Sequence, residues 1–143
     1  MNVDQILSLK GRHVVSVEAD QSLSEAVRLL SERKIGALVV VDGRQPVSGI
    51  LSERDIVRAL AAKGAQALDE PVSRFMTGQV VTCTGRSSVN ELMELMTQQK
   101  FRHVPVVEAG QLAGIISIGD VVKQRVEEIE AESQAIKEYI ATA

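Results

Sequence analysis

Hydrophobic and polar positions follow the same pattern twice along this chain. The matching stretches, first copy and then second, are 14–17 with 80–83, 22–25 with 88–91, and 49–55 with 114–120. Each pair keeps the same order of apolar and polar positions, and the spacing between the copies changes by one residue. Such a pattern indicates two copies of one structural unit.

Each unit is predicted to fold in the order strand, helix, strand, strand, helix. The first strand is short and β-branched, at 14–17 and at 80–83. The helix that follows begins at a Ser-x-x-Glu capping box headed by Ser22 or Ser88. The remaining strands are predicted at 37–41, 47–51, 104–107 and 112–116, with Gly43 and Gly110 in the turns between them.

The closing helices of the two units differ in length. The first is predicted over 53–63 and ends at Gly64, a residue that favours a left-handed helix cap. In the second unit neither Pro nor Gly follows Gly119, so one helix is predicted from Ile118 to Ala141. The second unit therefore ends in a long helical extension.

Short lead-in helices are predicted before both units, because Val3–Leu7 resembles Val72–Met76. The fold class is α+β, with a first repeat and its lead-in at 1–64, a linker at 65–71, a second repeat at 72–126 and a helical extension at 127–143. Residues at coiled-coil spacing along the last helix are Val122, Val126, Ile129, Ser133, Ile136 and Ile140. This stripe fits a seam between two chains, and it fits equally a helix that folds back on its own domain.

Composition excludes several classes of protein. With 45% hydrophobic and 24% charged residues, the 143-residue chain has the composition of an ordinary globular domain. A net charge of −3 and an aromatic content of 2% argue against a nucleic-acid surface. The longest apolar run, 37–41, is too short to cross a membrane, and the N-terminus lacks a signal-peptide pattern. We therefore expect a cytoplasmic protein.

The residues that most often carry metal or covalent chemistry are few. Cys83 is the only cysteine, which excludes a disulfide framework and a cysteine-based zinc site and predicts a buried, inert thiol. His13 and His103 have no second ligand at metal-binding spacing. No nucleophile, base and orienting group are found together, so we expect a protein that is not an enzyme and has no catalytic cofactor.

The strongest candidate for binding chemistry is a Ser-x-x-Asp sequence where a buried strand meets a helix. It occurs as Ser52 with Asp55 and again as Ser117 with Asp120. A helix N-terminus suits a phosphate, and an aspartate one turn further can accept two hydrogen bonds from a ribose diol. The same sequence is also an ordinary helix cap, so the residues alone leave both interpretations open.

Gly-hydrophobic-hydrophobic-Ser-x-x-Asp after paired strands, twice in one chain, resembles the CBS domain, named after cystathionine β-synthase. The stretches 52–57 and 100–106 resemble those by which this family is recognised. The resemblance implies two βαββα repeats packed as a pseudo-two-fold pair. It also implies two clefts for adenosine-containing ligands (AMP, ADP, ATP, NAD or S-adenosylmethionine), and modules that pair into a flat dimer.

Carried over by position, the resemblance assigns residues to both clefts. One would contain Ser117, Gly119, Asp120, Arg102 and His103, faced by Ser16, Ile35, Gly36 and Ala37. The other would contain Ser52, Arg54 and Asp55, faced by Thr82, Phe101 and Arg102. Aspartate would hold the ribose, serine and the basic groups the phosphates, and aliphatic side chains the adenine. The first cleft is expected to bind more tightly, since Arg102 and His103 replace the Gly36 and Ala37 of the other repeat.

These inferences predict a regulatory module that binds an adenine nucleotide and changes conformation in response, as a homodimer with no membrane or nucleic-acid partner. A regulated protein partner would read that change. A first alternative is a scaffold that dimerises without a ligand. A second is an enzyme that acts on the bound nucleotide.

Overall fold

The computed structural model describes residues 1–142 and has a mixed helix and strand architecture. In chain order the helices are α1 (Val3–Lys10), α2 (Leu23–Arg33), α3 (Glu53–Lys63), α4 (Val89–Gln99) and α5 (Ile118–Thr142). The strands are β1 (Ser16–Glu18), β2 (Ala37–Val41), β3 (Gly49–Ser52), β4 (His103–Glu108) and β5 (Gln111–Ser117). Short 3₁₀ helices span Gly64–Asp69 and Val72–Arg74, so much of the predicted linker and of the second lead-in is 3₁₀.

The predicted start signals of α2 and α4 form only half of a capping box. Ser22 and Ser88 each accept a hydrogen bond from the backbone N–H three residues later, at 3.2 and 3.1 Å. The reciprocal bond, in which the glutamate carboxylate would accept from the backbone N–H of the serine, is absent from the described residues. In α2 the Glu25 carboxylate pairs with Arg28 instead. One bond of this kind still satisfies a free N–H at each helix start.

The strands form a sheet in each repeat, but the second sheet is smaller than predicted. The first has the order β1-β2-β3, with β1 parallel and β3 antiparallel to β2, whereas the second contains β4 and β5 alone. The predicted strand at 80–83 is wrong, because only Cys83 forms a bridge, to Val106. In the first repeat Val39 donates to the Val15 carbonyl, and the equivalent Pro105 has no N–H to donate.

The described residues form two hydrophobic cores, and the lead-in segments are exchanged between them. Val3, Ile6 and Leu7 of α1 are buried in the core built from α4, β4 and β5, in the second repeat. Val72, which precedes that repeat, is buried in the core of the first. The core of the second repeat is therefore completed by α1, which precedes the first repeat in sequence. The core of the first repeat is completed by Val72, from the segment that precedes the second repeat.

Backbone hydrogen bonds hold both exchanged segments in equivalent ways. The Val3 N–H donates to Ser87 O at 2.9 Å, and the Val72 N–H donates to Gln21 O at 2.8 Å. The packing is equivalent too, because Leu7 lies over Gly114 as Met76 lies over Gly49; an added Cβ would come within 2.7 and 2.6 Å of these side chains. The pseudo-symmetry of the pair thus extends to the lead-in segments.

Helix α5 continues well past the second core, as the sequence predicts. Its buried residues are Val121 and Gln124, and all side chains from 129 to 142 are exposed. The exposed apolar residues include Val126, Ile129 and Ile136 of the predicted stripe. Within residues 1–142, no helix combines the length and apolar character needed to cross a membrane.

Candidate functional site

A cleft of about 410 Å³ lies between the two repeats, where α3 begins. Its walls come from both repeats, so a bound molecule would touch each of them. The lining residues are Gly36, Ile50, Ser52, Glu53, Arg54, Asp55, Arg58, Thr77, Gln79, Val80, Val81, Lys100, Phe101, Arg102, His103 and Ile118. We call this the Asp55 cleft.

At the floor of this cleft, Ser52 and Asp55 form a complete capping box. The Asp55 Oδ2 accepts hydrogen bonds from the Ser52 N–H at 2.9 Å and from the Ser52 hydroxyl at 3.1 Å, and the Asp55 N–H donates to Ser52 Oγ at 3.3 Å. Capping is thus a real role of this sequence. The Oδ1 of Asp55 accepts no hydrogen bond from the described residues, so the cap leaves one carboxylate oxygen for a ligand.

The charge of the Asp55 cleft is opposite in sign to that of the whole protein. Four cationic side chains line it, Arg54, Arg58, Lys100 and Arg102, against the two carboxylates of Glu53 and Asp55. The chain as a whole carries −3. Among residues 1–142, none of these four cations lies within 4.0 Å of a carboxylate oxygen. Guanidinium and ammonium groups without protein partners are suited to bind phosphate.

Sequence reasoning missed Arg58 and Lys100. Arg58 lies one helical turn after Asp55 on α3, a spacing that places both on one side of the helix. Lys100 is the residue after α4, in a left-handed conformation with φ of 58°. The helical spacing was a signal for Arg58, and the position of Lys100 next to Phe101 and Arg102, both predicted for this cleft, was a signal for Lys100.

Apolar side chains from both repeats also line the cleft. Phe101, Ile50, Val80 and Ile118 line it. Thr82, predicted for this cleft, lies outside it and lines a smaller cavity beside Pro46. An aromatic and aliphatic wall of this kind can receive a flat heterocycle such as adenine.

The residues predicted for the other cleft are divided. Gly36 and His103 line the Asp55 cleft instead, with the His103 ring 3.8 Å from the position of a Cβ on Gly36, and Arg102, predicted for both clefts, lines the Asp55 cleft. Asp120 forms the same capping box as Asp55, and its Oδ2 accepts from the Ser117 N–H at 2.8 Å. Six other predicted residues lie outside the lining of the Asp55 cleft: Ser16, Ile35, Ala37, Ser117, Gly119 and Asp120.

Lys10 makes the two Ser-x-x-Asp sites different. Its ammonium group lies 2.6 Å from Asp120 Oδ2 and donates to the Ile115 carbonyl at 3.0 Å. Asp55 has no such cation within 4.0 Å in the described part of the chain. Sequence reasoning did not find Lys10, because the exchange of α1 onto the second repeat was not foreseen.

Burial and this ion pair together set the pKa values of Asp120 and His103. Burial raises the pKa of Asp120, but Lys10 and hydrogen bonds from Ser117 outweigh burial and hold it below its ordinary value. Burial lowers the pKa of His103, and the nearby Lys10 ammonium lowers it further. His103 is therefore more readily neutral than an exposed histidine.

Cys83 and the acidic side chains add no second reactive site. Burial, and then the charge of Glu108, raise the pKa of the Cys83 thiol to about 11, which fits the predicted inert thiol. In the described part of the chain, no group of three His, Cys, Asp or Glu residues is arranged to hold a metal ion. A wider depression of about 820 Å³ is lined by Glu18, Asp20 and Asp42, which makes it unsuited to an anion.

Comparisons with known proteins agree with the fold and the repeats. A family model of the CBS domain matches residues 7–62 and again 72–127. The solved CBS-domain containing protein ATU1752 from Agrobacterium tumefaciens is 53% identical, with a TM-score of 0.84 over 87% of this chain and 99% of that one.

Two further relatives are more distant. A mitochondrial CBS domain-containing protein of Arabidopsis thaliana, CBSX3, is 35% identical over 85% of this chain, which spans 61% of that protein's length. The CBS domain pair of protein MJ0100, solved with 5′-methylthioadenosine and S-adenosyl-L-methionine, is 24% identical, with a TM-score of 0.79 over 90% of this chain and 98% of that one; this likeness shows the fold alone. The chain belongs to the CBS domain family and carries two CBS repeats.

Proposed function

We propose that the protein is a non-catalytic regulatory module that binds an adenosine nucleotide in the Asp55 cleft. The observation that carries the proposal is the set of four cations without carboxylate partners in a cleft of an acidic protein. Their positive charge would otherwise raise the energy of the empty cleft, and a phosphate offsets it. The adenosine-containing ligands of the MJ0100 CBS pair support the choice of ligand class.

Three groups of side chains bind the three parts of the nucleotide. Arg54, Arg58 and Arg102 hold the phosphate, because guanidinium groups bind phosphate oxygens in pairs. The Asp55 Oδ1 accepts hydrogen bonds from the ribose hydroxyls. Phe101 and the aliphatic wall receive the adenine.

The module signals by a shift in population between arrangements of the two repeats. The cleft is lined by residues of both, with Asp55 in the first repeat and Phe101 in the second. A nucleotide that touches both favours the arrangement in which the cleft is closed around it. A protein partner in the cytoplasm would read that arrangement.

The Asp55 cleft is the tighter of the two sites in this proposal, the reverse of the ranking expected from the sequence. That ranking gave Arg102 and His103 to Asp120, whereas both residues line the cleft of Asp55. The Lys10 ammonium lies 2.6 Å from Asp120 Oδ2 and offsets the charge of that carboxylate, whereas Asp55 has no cation within 4.0 Å in the described residues. Both differences favour Asp55.

An adenosine nucleotide should stabilise the protein against heat. At a concentration 100 times the dissociation constant, AMP is expected to add about 2.7 kcal/mol to the free energy of unfolding. Thermal-shift measurements with AMP, ATP, NAD and S-adenosylmethionine test this, with adenine-free ribose 5-phosphate as the matched control. No shift with any adenosine compound at millimolar concentration would favour the ligand-free scaffold.

Nucleotide binding should also change the titration of His103. The phosphate brings negative charge to a cleft that His103 lines, so AMP is expected to raise the pKa of this imidazole from its lowered value. The AMP phosphate itself takes up a proton at about pH 6, so the readout is the pKa of His103 and not the overall pH dependence of affinity. NMR titration of the His103 ring with and without AMP measures this pKa. A pKa of His103 that falls on binding contradicts this placement of the phosphate.

The proposed quaternary state is a homodimer formed through apolar residues of α3 and α5. Val57 on α3 is 65% exposed, and the stripe on α5 includes Val122, Val126 and Ile129. Apolar residues exposed in this number mark an interaction surface. Seam spacing along α5 fits pairing with the same helix of a second chain.

A further inference from the structure

The apolar stripe of α5 is flanked by charges whose signs change along the helix. On one side lie Lys123, Glu130 and Lys137, seven residues apart, and on the other side lie Arg125 and Glu132. In a coiled coil these are the positions beside the seam, which face the partner helix. Charges there decide whether two helices pair in the same direction or in opposite directions.

Building on the proposed homodimer, we propose that α5 pairs with the α5 of a second copy as a parallel coiled coil, with equal residues at the same level. In this arrangement Arg125 meets Glu130 of the second copy. Glu132 in turn meets Lys137 of the second copy. Two-fold symmetry repeats both contacts, so pairs of opposite charge flank the seam on both sides, and every position of the stripe has a partner.

The same charges oppose antiparallel pairing. In an antiparallel pair that keeps the whole stripe together, Lys123 lies beside Lys137 of the second copy. Glu130 and Glu132 each lie beside the same residue of the second copy, so like charges meet along the seam. An antiparallel pair shifted by one heptad removes this repulsion, but it leaves apolar residues at one end of the stripe without a partner. Full burial of the stripe and attraction of its flanking charges therefore coincide in the parallel pair.

Ser133, the polar residue of the stripe, favours the same direction. In the parallel pair Ser133 faces Ser133 of the second copy, so the two hydroxyls can hydrogen-bond to each other. In the antiparallel pair it faces Ile129 of the second copy, which offers no hydrogen-bonding group. A single polar position inside a seam is a known determinant of register.

The flanking charges are available for a second chain. Among residues 1–142, only Arg125 of these five forms an ion pair, a 3.4 Å contact with Glu128. Lys137 has no charged residue three or four positions away, so its own helix offers it no partner. All side chains from 129 to 142 are exposed, which leaves this length of the helix open to a second copy.

The direction of pairing decides where the two nucleotide sites lie in the dimer. Ile118 lines the Asp55 cleft and is also the first residue of α5. Val122, the first residue of the stripe, follows one turn later, ~6 Å along the helix. A parallel pair therefore brings both Asp55 clefts to one end of the dimer, whereas an antiparallel pair would separate them by roughly 40 Å. This consequence rests on the proposed nucleotide site, but the pairing itself does not.

Cysteine cross-linking distinguishes the two directions. Val122→Cys and Ile140→Cys place a thiol at opposite ends of the stripe, at exposed positions. In the parallel pair each variant should form a disulfide with its own copy on mild oxidation. When the two variants are mixed, no disulfide should join one to the other. Gel electrophoresis without reductant, followed by mass spectrometry of the joined chains, measures both results.

Two controls give the background of this experiment. Ala135→Cys, exposed but outside the seam spacing, should not cross-link. The unaltered protein should not cross-link either, because its Cys83 is buried. A disulfide that joins only Val122→Cys to Ile140→Cys would overturn the parallel direction, and so would the absence of a disulfide in both single variants.

Reversal of a flanking charge tests the proposed ion pairs. Lys137→Glu should weaken the dimer roughly ten-fold at low salt, because both contacts with Glu132 become repulsive. The double variant Glu132→Lys/Lys137→Glu should restore it, and Glu138→Lys, on the outer side of the helix, should leave it unchanged. Sedimentation equilibrium measures the dissociation constants. A dimer that Lys137→Glu strengthens would overturn the proposal, because in the antiparallel pair the new carboxylate meets Lys123.

Failure of this inference can be told apart from failure of the proposed nucleotide function. Cross-linking needs no nucleotide, so self-joined chains that bind no AMP would keep the parallel coiled coil and remove the nucleotide site. Chains that bind AMP but join only in the mixed sample would keep the site and overturn the parallel coiled coil. A monomer that binds AMP would also overturn it.

Discussion

Replacing Asp55 by alanine is expected to weaken AMP binding by roughly ten- to a hundred-fold. The variant removes the oxygen proposed to accept from the ribose hydroxyls, and a lost pair of hydrogen bonds to a charged group has about this effect. The proposed phosphate contacts of Arg54, Arg58 and Arg102 remain, so binding should weaken and not vanish. Calorimetric titration measures the loss of affinity.

The second repeat provides a matched control for this variant. Asp120→Ala removes the same side chain from the same capping box, so it accounts for any effect of losing a helix cap. It should change AMP affinity by less than about three-fold, a small effect on the free-energy scale. If Asp120→Ala abolished the tighter site while Asp55→Ala preserved it, the ranking derived from the sequence would be correct and ours wrong.

Placing a charge in the apolar stripe of α5 is expected to dissociate the proposed dimer. Ile136 is 60% exposed in the single chain, so Ile136→Glu should leave the fold intact. In a paired seam the same carboxylate would be buried without a partner, which should raise the dissociation constant by about a hundred-fold or more. Sedimentation equilibrium over a range of concentrations measures the change.

A neighbouring substitution controls for added charge and for altered helix stability. Ala135 is exposed and lies beside Ile136, outside the seam spacing. Ala135→Glu introduces the same side chain and should leave the dimer unchanged. A monomer before any substitution, or equal dissociation by both variants, would show that this stripe is not the interface.

Local patterns predicted most of the fold because they depend on residues close in sequence. The bounds of α3 and of β2 follow directly from periodicity, from the Ser52 cap and from the glycine at the end of the helix. The long α5 follows from the absence of Pro and Gly after Gly119. These elements needed no knowledge of tertiary contacts.

Features that depend on contacts between repeats were not predicted. The failed strand at 80–83 required knowing that Pro105 would stand opposite it without a donor. To predict the contact between Lys10 and Asp120, one had to know that α1 packs on the second repeat. Both depend on which segment meets which, and hydrophobic periodicity within a segment carries no information about its partner.

The candidate site was predicted in part for the same reason. Ser52, Arg54 and Asp55 lie together on one helix start, so a local motif was enough to group them. Phe101 and Arg102 came from the family resemblance, and the structure brings both to the same cleft. The assignment of His103 to the opposite cleft was wrong. The direction of a side chain near a strand end depends on the packing between repeats, which the sequence pattern does not show.

The exchange of lead-in segments has a consequence for synthesis of the chain. Helix α1 leaves the ribosome long before β4 and β5, so its apolar side chains, Val3, Ile6 and Leu7, have no core to enter while the first repeat is made. The first core can close once Val72 has emerged. The second core then forms around α1, which has been synthesised already. Cutting the chain just before Val72 would therefore leave both repeats with an incomplete core: the first would lack Val72, and the second would lack α1.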